Sequence, residues 1–117
     1  MEIYNIVGLA KDLELECADI TDLYTSYIDQ INEHCQNLEE NFNKNDFTGL
    51  INEVHNVKGV AGNLLINDVF EEASSFGRLL NQGNFTDLKE NVDSISSLLI
   101  NSGYKVRKSF AKVNITL

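Results

Sequence analysis

Proline is missing from this chain of 117 residues, where average usage of about 5% would place about six. Nothing in the sequence therefore forces a helix to kink or stop, and long uninterrupted helices are the natural expectation. Tryptophan is also missing, and basic residues are scarce, with nine Lys and Arg against eighteen Asp and Glu for a formal net charge of −9. That balance excludes a nucleic-acid binder, because phosphate binding draws its affinity from a Lys/Arg surface that releases counterions. It argues equally against an anionic membrane surface, and no apolar run approaches the roughly 20 residues a spanning helix needs. Met1 to Ala10 include Glu2 and no basic residue, so no secretory leader is visible. A cytoplasmic protein is expected, and Met1 together with the length favours a free-standing one. The two cysteines, Cys17 and Cys35, are too few for a disulfide framework and do not form a C-x-x-C pair. They read as buried small hydrophobes. With His34 they make only a loose ligand set, and no metal site is expected. The N-x-T triplets at Asn84 and Asn114 would matter only in a secretory lumen.

What is present is a 43% hydrophobic composition, enough for one core, with no repeat or linker to divide it. A single domain over 1–117 follows. Charge is uneven: residues 1–53 carry twelve acids and two bases, residues 54–117 six acids and seven bases. Lys105, Arg107, Lys108 and Lys112 near the end suit the negative pole of a final helix.

Apolar residues recur every three or four positions through Ile20, Leu23, Tyr24, Tyr27, Ile28, Ile31, Cys35, Leu38 and Phe42, one face of a helix over about 19–42. Asp19 and Asp22 resemble a capping pair at its start. Ile3, Ile6, Val7 and Ala10 suggest a short helix before it. A polar turn at Asn43–Asp46 leads to a second stripe of Phe47, Leu50, Ile51, Val54, Val57, Ala61, Leu64 and Leu65, a helix over about 46–65. Asp68, with Glu71 three residues on, reads as the cap of a helix to about residue 82 that buries Val69, Phe70, Ala73, Phe76 and Leu80. Gly83 stands where a left-handed terminator belongs. The last stripe, from Leu88 through Val92, Ile95, Leu99, Ser102, Val106 and Phe110 to Val113, predicts a helix over 86–101 or beyond that Gly103 ends or bends. Short connections make sequential helices antiparallel neighbours. The expected fold is all-α, an up-down four-helix bundle with a short extra N-terminal helix.

No nucleotide-binding loop, zinc-protease motif or nucleophile elbow is present. His55 is the candidate for chemistry. On a wheel of about 100° per residue from Phe47, the apolar stripe centres near 325° while His55 falls at about 80°, beside Lys58 at about 20°, Gly62 at about 60° and Gly59 at about 120°. Two glycines inside one helix cost roughly 1 kcal/mol each relative to alanine, which points to something approaching that face closely. An exposed imidazole, with an ordinary pKa of about 6.5, is a nitrogen nucleophile able to take a phosphoryl group. Lys58 at i+3 can neutralise the phosphate oxygens.

The string His55-Asn-Val-Lys58-Gly59-Val-Ala-Gly62-Asn63-Leu64 resembles the signature of histidine phosphotransfer (HPt) domains, H-x-[hydrophobic]-K-G followed by small residues. The likeness extends over about residues 20–100. It implies a four-helix bundle that neither binds ATP nor turns over a substrate, and that relays a phosphoryl group between receiver-domain aspartates in a two-component phosphorelay. By that likeness His55 is the phosphoacceptor, Lys58 stabilises phosphate, and Gly59 and Gly62 give clearance for the receiver. The chain itself needs no cofactor, since magnesium belongs to the receiver. The implied partners are response-regulator receiver domains and a hybrid histidine kinase, met by a monomer. The docking face would comprise Asn52, Asn56, Gly59, Gly62, Asn63 and Ile66, with Arg78 reaching from the next helix towards the receiver's acidic pocket. Glu53 would be the one acid nearby.

Two positions depart from the family pattern. Leu65 stands where a glycine is common. Gly77, 22 residues after His55, stands where a Gln or Glu usually bonds the imidazole, so water or Ser74 must orient the ring, or nothing does. The competing reading is a helical module that docks on a kinase or regulator and inhibits it without being phosphorylated.

Overall fold

The computed structural model describes residues 3–117. Met1 and Glu2, which entered the reading of the N-terminus, lie outside the described residues. The described residues form α1 (Ile6–Asp12), a 3-10 turn (Cys17–Ile20), α2 (Thr21–Asn43), α3 (Phe47–Asn63), α4 (Asn67–Asn81) and α5 (Leu88–Ala111), with no strand among them. In the bundle α2 packs on α3 and α5, and α4 on α3 and α5; the α3–α4 interface is the most extensive. The molecule measures 43 × 22 × 22 Å, the long dimension set by its two longest helices.

The stripes converge as their period requires. Tyr24, Tyr27, Ile31 and Leu38 of α2 meet Leu50, Val54, Val57 and Ala61 of α3, Val69, Ala73, Phe76 and Leu80 of α4, and Val92, Ile95, Leu99, Val106 and Phe110 of α5, all buried. The hydroxyls of the buried tyrosines and of Ser102 are paired. The Tyr24 hydroxyl donates to the Leu64 carbonyl at 2.7 Å, and the Tyr27 and Ser102 hydroxyls bond at 2.6 Å. Burial pushes the Tyr27 phenol up to about 12.

Some expectations are corrected. Leu23 and Phe70 are exposed, and Cys17 and Cys35 are only partly buried free thiols. Gly103 does not end α5, which runs on to Ala111; a side chain there would lie 3.2 Å from Ile31 Cδ1, so the glycine lets α2 and α5 close up. Neither acidic pair caps its helix. Asp19 pairs with Glu16 across the 3-10 turn, and α2 starts after Ile20 with no side-chain cap. Asp68 lies within α4, where it accepts from the Lys105 ammonium at 2.7 Å and the Tyr4 hydroxyl at 2.9 Å, tying the N-terminal segment and α5 to α4. Burial alone would raise the Asp68 carboxyl, but the Lys105, Tyr4 and Val69 N–H bonds outweigh it and hold the group below its ordinary range.

Each helix stops the same way. A left-handed residue follows it (Glu14, Asn45, Leu65, Gly83 or Asn114, φ between 53° and 72°), and the next residue donates its N–H to the carbonyl five positions back at 2.8–3.0 Å. Gly83 fills this place as expected. Leu65 fills it without a glycine's freedom, at a backbone cost of about 1–2 kcal/mol, and its side chain packs on the core. The turn it makes sends the chain directly into Ile66 and α4.

Candidate functional site

α3 is capped by the Asp46 carboxylate, which accepts from the Gly49 N–H at 2.9 Å, and it runs without interruption to Asn63. His55 lies at its midpoint. Val54 and Val57 on either side are about 1% exposed, so α3 is fixed against the core while His55 is turned outward and exposed. Among the described residues no protein group hydrogen-bonds its ring.

The imidazole lines a groove of about 250 Å³ between α3 and α4. From α3 the walls are Ile51, Asn52, Val54, His55 and Lys58, and from α4 they are Ala73, Ser74, Gly77, Arg78 and Asn81. Two cations thus flank one unbonded imidazole. Arg78 is exposed, its Nη2 3.4 Å from the Ser75 hydroxyl. Lys58 makes no ion pair among the described residues, and its Nζ stands 5.9 Å from the centroid of the Phe70 ring.

Gly77 is one of the groove's α4 walls and puts no side chain into it. A Cβ there would meet Val54 Cγ1 at 3.7 Å, an ordinary contact, so the position faces α3 beside His55. Ser74 shares the groove, but its hydroxyl donates to the Phe70 carbonyl at 2.8 Å, one turn back.

The other expected docking residues divide. Asn52, Asn56 and Gly59 are exposed on the His55 side of α3, and a Cβ on Gly59 would meet nothing within 4 Å. Asn63 is exposed at the end of α3, but beside Leu23, Tyr27 and Leu64, over the α2–α3 join. Ile66 is fully buried, because the left-handed turn at Leu65 directs it inward, and it is no part of an outer face. Gly62 is not open either. A Cβ there would lie 3.2 Å from two carbons of the Phe70 ring, so the space it leaves is filled from within the chain.

Glu53 does not face His55. It is 8% exposed and turned to α2, its carboxylate 2.6 Å from His34 Nδ1 and 3.4 Å from Asn37 Nδ2. The surroundings of His55 are therefore less acidic than the sequence suggests. Asn81 and Phe70 were not singled out beforehand as site residues. Asn81 follows Gly77 by four positions and donates its amide to that carbonyl at 2.9 Å, a spacing that could have flagged it.

No helix among the described residues is long and apolar enough to cross a membrane. Comparison with curated proteins and with solved structures gives no match. The model of the Hpt domain matches residues 22–105, from the first turn of α2 to within two turns of the end of α5, and so takes in the whole His55 groove. An all-helical bundle, matched over most of its length by that model and presenting an outward histidine between two cations, belongs to the Hpt domain family, whose members carry phosphoryl groups on histidine in two-component phosphorelays.

Proposed function

We propose that this chain accepts a phosphoryl group on His55 from the aspartyl phosphate of one receiver domain and returns it to the aspartate of another. The observation that carries this reading is the exposed, unbonded imidazole of His55 lining one groove with Lys58 and Arg78. The lone pair of one ring nitrogen attacks phosphorus. A P–N bond forms, the P–O bond to the receiver's aspartate breaks, and the carboxylate leaves with the bonding pair. The proton on the other ring nitrogen stays, giving a phosphorylated imidazolium. Transfer to the next receiver reverses these bonds.

Lys58 balances charge on the transferring oxygens, and Arg78 meets the acidic pocket of the receiver. The receiver supplies its own metal ion, and this chain contributes position. Asn52, Asn56 and Gly59 form the near docking surface. Gly59 suits close approach, since nothing of the chain itself occupies the space above it.

The test is transfer of labelled phosphate from receiver domains loaded with acetyl phosphate. The expected product is acid-labile and alkali-stable, and His55→Gln removes it. Undiminished labelling of His55→Gln would end the assignment. A non-phosphorylated inhibitor, the competing reading, would bind the receiver or kinase and take up no label in any variant.

A further inference from the structure

Phe70 is the one residue of the α4 apolar stripe that the core does not take. It is 37% exposed, while Val69 and Ala73 beside it are completely buried. Its ring nevertheless has a defined seat. Gly62 of α3 lies beneath it, where any side chain would come within 3.2 Å of two ring carbons. The Lys58 ammonium is over it, 5.9 Å from the centroid. Lys58 itself stands one turn after His55 and one turn before Gly62 on the same helix, so the ring is wedged between a gap in α3 and the cation that serves the histidine.

We propose that Phe70 is a positioning residue for Lys58, an inference that rests on the phosphoacceptor reading above. The choice of an aromatic is the point. A carboxylate in that place would hold the ammonium more firmly but cancel its charge, and it would repel the incoming phosphoryl oxygens. The ring's electron-rich face restrains the lysine stem while leaving the whole positive charge for the phosphate. Gly62 then serves the site indirectly, by letting the ring lie against α3 at a height where Lys58 can rest on it.

An exposed contact of this kind is worth about a two- to five-fold effect. The experiment compares the wild-type chain, Phe70→Leu and Phe70→Tyr in single-turnover transfer from a receiver loaded with acetyl phosphate, each in the native and in a Lys58→Met background. Phe70→Leu is expected to lower the maximal rate by about two- to five-fold with the half-saturating receiver concentration unchanged. Phe70→Tyr is expected to restore the rate, and neither change should matter once Lys58 is methionine. Equal losses in both backgrounds, a loss confined to receiver affinity, or no loss would overturn the proposal. A second readout does not depend on transfer: the Lys58 ε-methylene protons should show an upfield ring-current shift in the proton NMR spectrum that Phe70→Leu removes. Absence of that shift in the wild type overturns this inference alone. A wild type that shows the shift but takes no phosphoryl group from any receiver instead defeats the proposed function, and this inference with it.

Discussion

The chain has two histidines, and their surroundings are opposite. His34 on α2 is folded against α3, its side chain 12% exposed, with Nδ1 2.6 Å from the Glu53 carboxylate and Nε2 enclosed without a partner. His55, two residues after Glu53 on α3, is exposed and its ring is bonded to nothing among the described residues. With Nδ1 against the carboxylate and Nε2 enclosed, neither ring nitrogen of His34 is open to a partner. Its chemistry is thereby spent on joining two helices. A nitrogen can attack phosphorus only if its lone pair is free and reachable, and α3 meets that condition by turning Glu53 inward and His55 outward within one turn.

The largest expected effect tests this contrast directly. His55→Gln should abolish phosphoryl acceptance, while His34→Gln should still take label from a phosphorylated receiver. The exposed swap should also leave stability within about 0.5 kcal/mol. If His34→Gln lost the label and His55→Gln kept it, the two roles would be exchanged.

Next in size is the cost of breaking the inner pair. Glu53→Ala leaves His34 unpartnered in a mostly buried place, and about 1–3 kcal/mol of stability should be lost in urea unfolding. Once the variant is folded, its transfer rate should match wild type. A transfer defect in folded Glu53→Ala would mean that the inner pair sets the pitch of α3 beneath His55.

Lys58→Ala touches the outer site only. Removing one charge-assisted contact to phosphate, worth about 1.5 kcal/mol, should slow transfer by roughly tenfold without stopping it, at unchanged stability. An unchanged rate would leave Arg78 as the cation that counts.

The helices themselves were legible because burial on a helix follows a period, and residues 88 to 113 kept that period for seven turns. The outward, exposed position of His55 was legible because it breaks the pattern on its own helix. The inner pair was not: Glu53 and His34 lie 19 residues apart, and a wheel drawn for one helix is silent about what faces it from another. Asp68 was misjudged for the same reason, since its partners Tyr4 and Lys105 come from opposite ends of the chain. Ile66 sits in a turn whose handedness is set at Leu65, where the usual glycine cue is missing. Phe70 fits its stripe by spacing, and only the gap at Gly62 shows why it stays outside.

Gly59 and Gly62 look alike in the sequence and differ in the fold, which gives a smaller and sharper test. Gly59→Ala meets nothing within 4 Å and should stabilise α3 by roughly 0.5–1 kcal/mol while weakening receiver docking. Gly62→Ala must displace the Phe70 ring and should gain less or lose. Stabilisation by Gly59→Ala with undiminished transfer would show that no partner comes close to that position.

The smallest expected effect would convert one histidine towards the other. Gly77 leaves the groove beside His55 open, and a glutamine there has room to begin, since its Cβ would stand 3.7 Å from Val54 Cγ1. Its amide could then bond the outward imidazole, giving His55 the kind of partner that Glu53 gives His34, but a neutral one at the surface. Replacing glycine within α4 should add about 0.5–1 kcal/mol of stability. Two outcomes separate two reasons for the glycine. Faster transfer at unchanged receiver affinity would show that the ring lacks an orienting bond and tolerates the lack. Weaker receiver binding would show that the groove is occupied in the complex, so that the opening beside His55 is part of the docking surface. Because position 77 already faces α3, a variant that gains this stability but is unchanged in rate and affinity would mean that the new side chain turns to solvent and leaves the groove as it was.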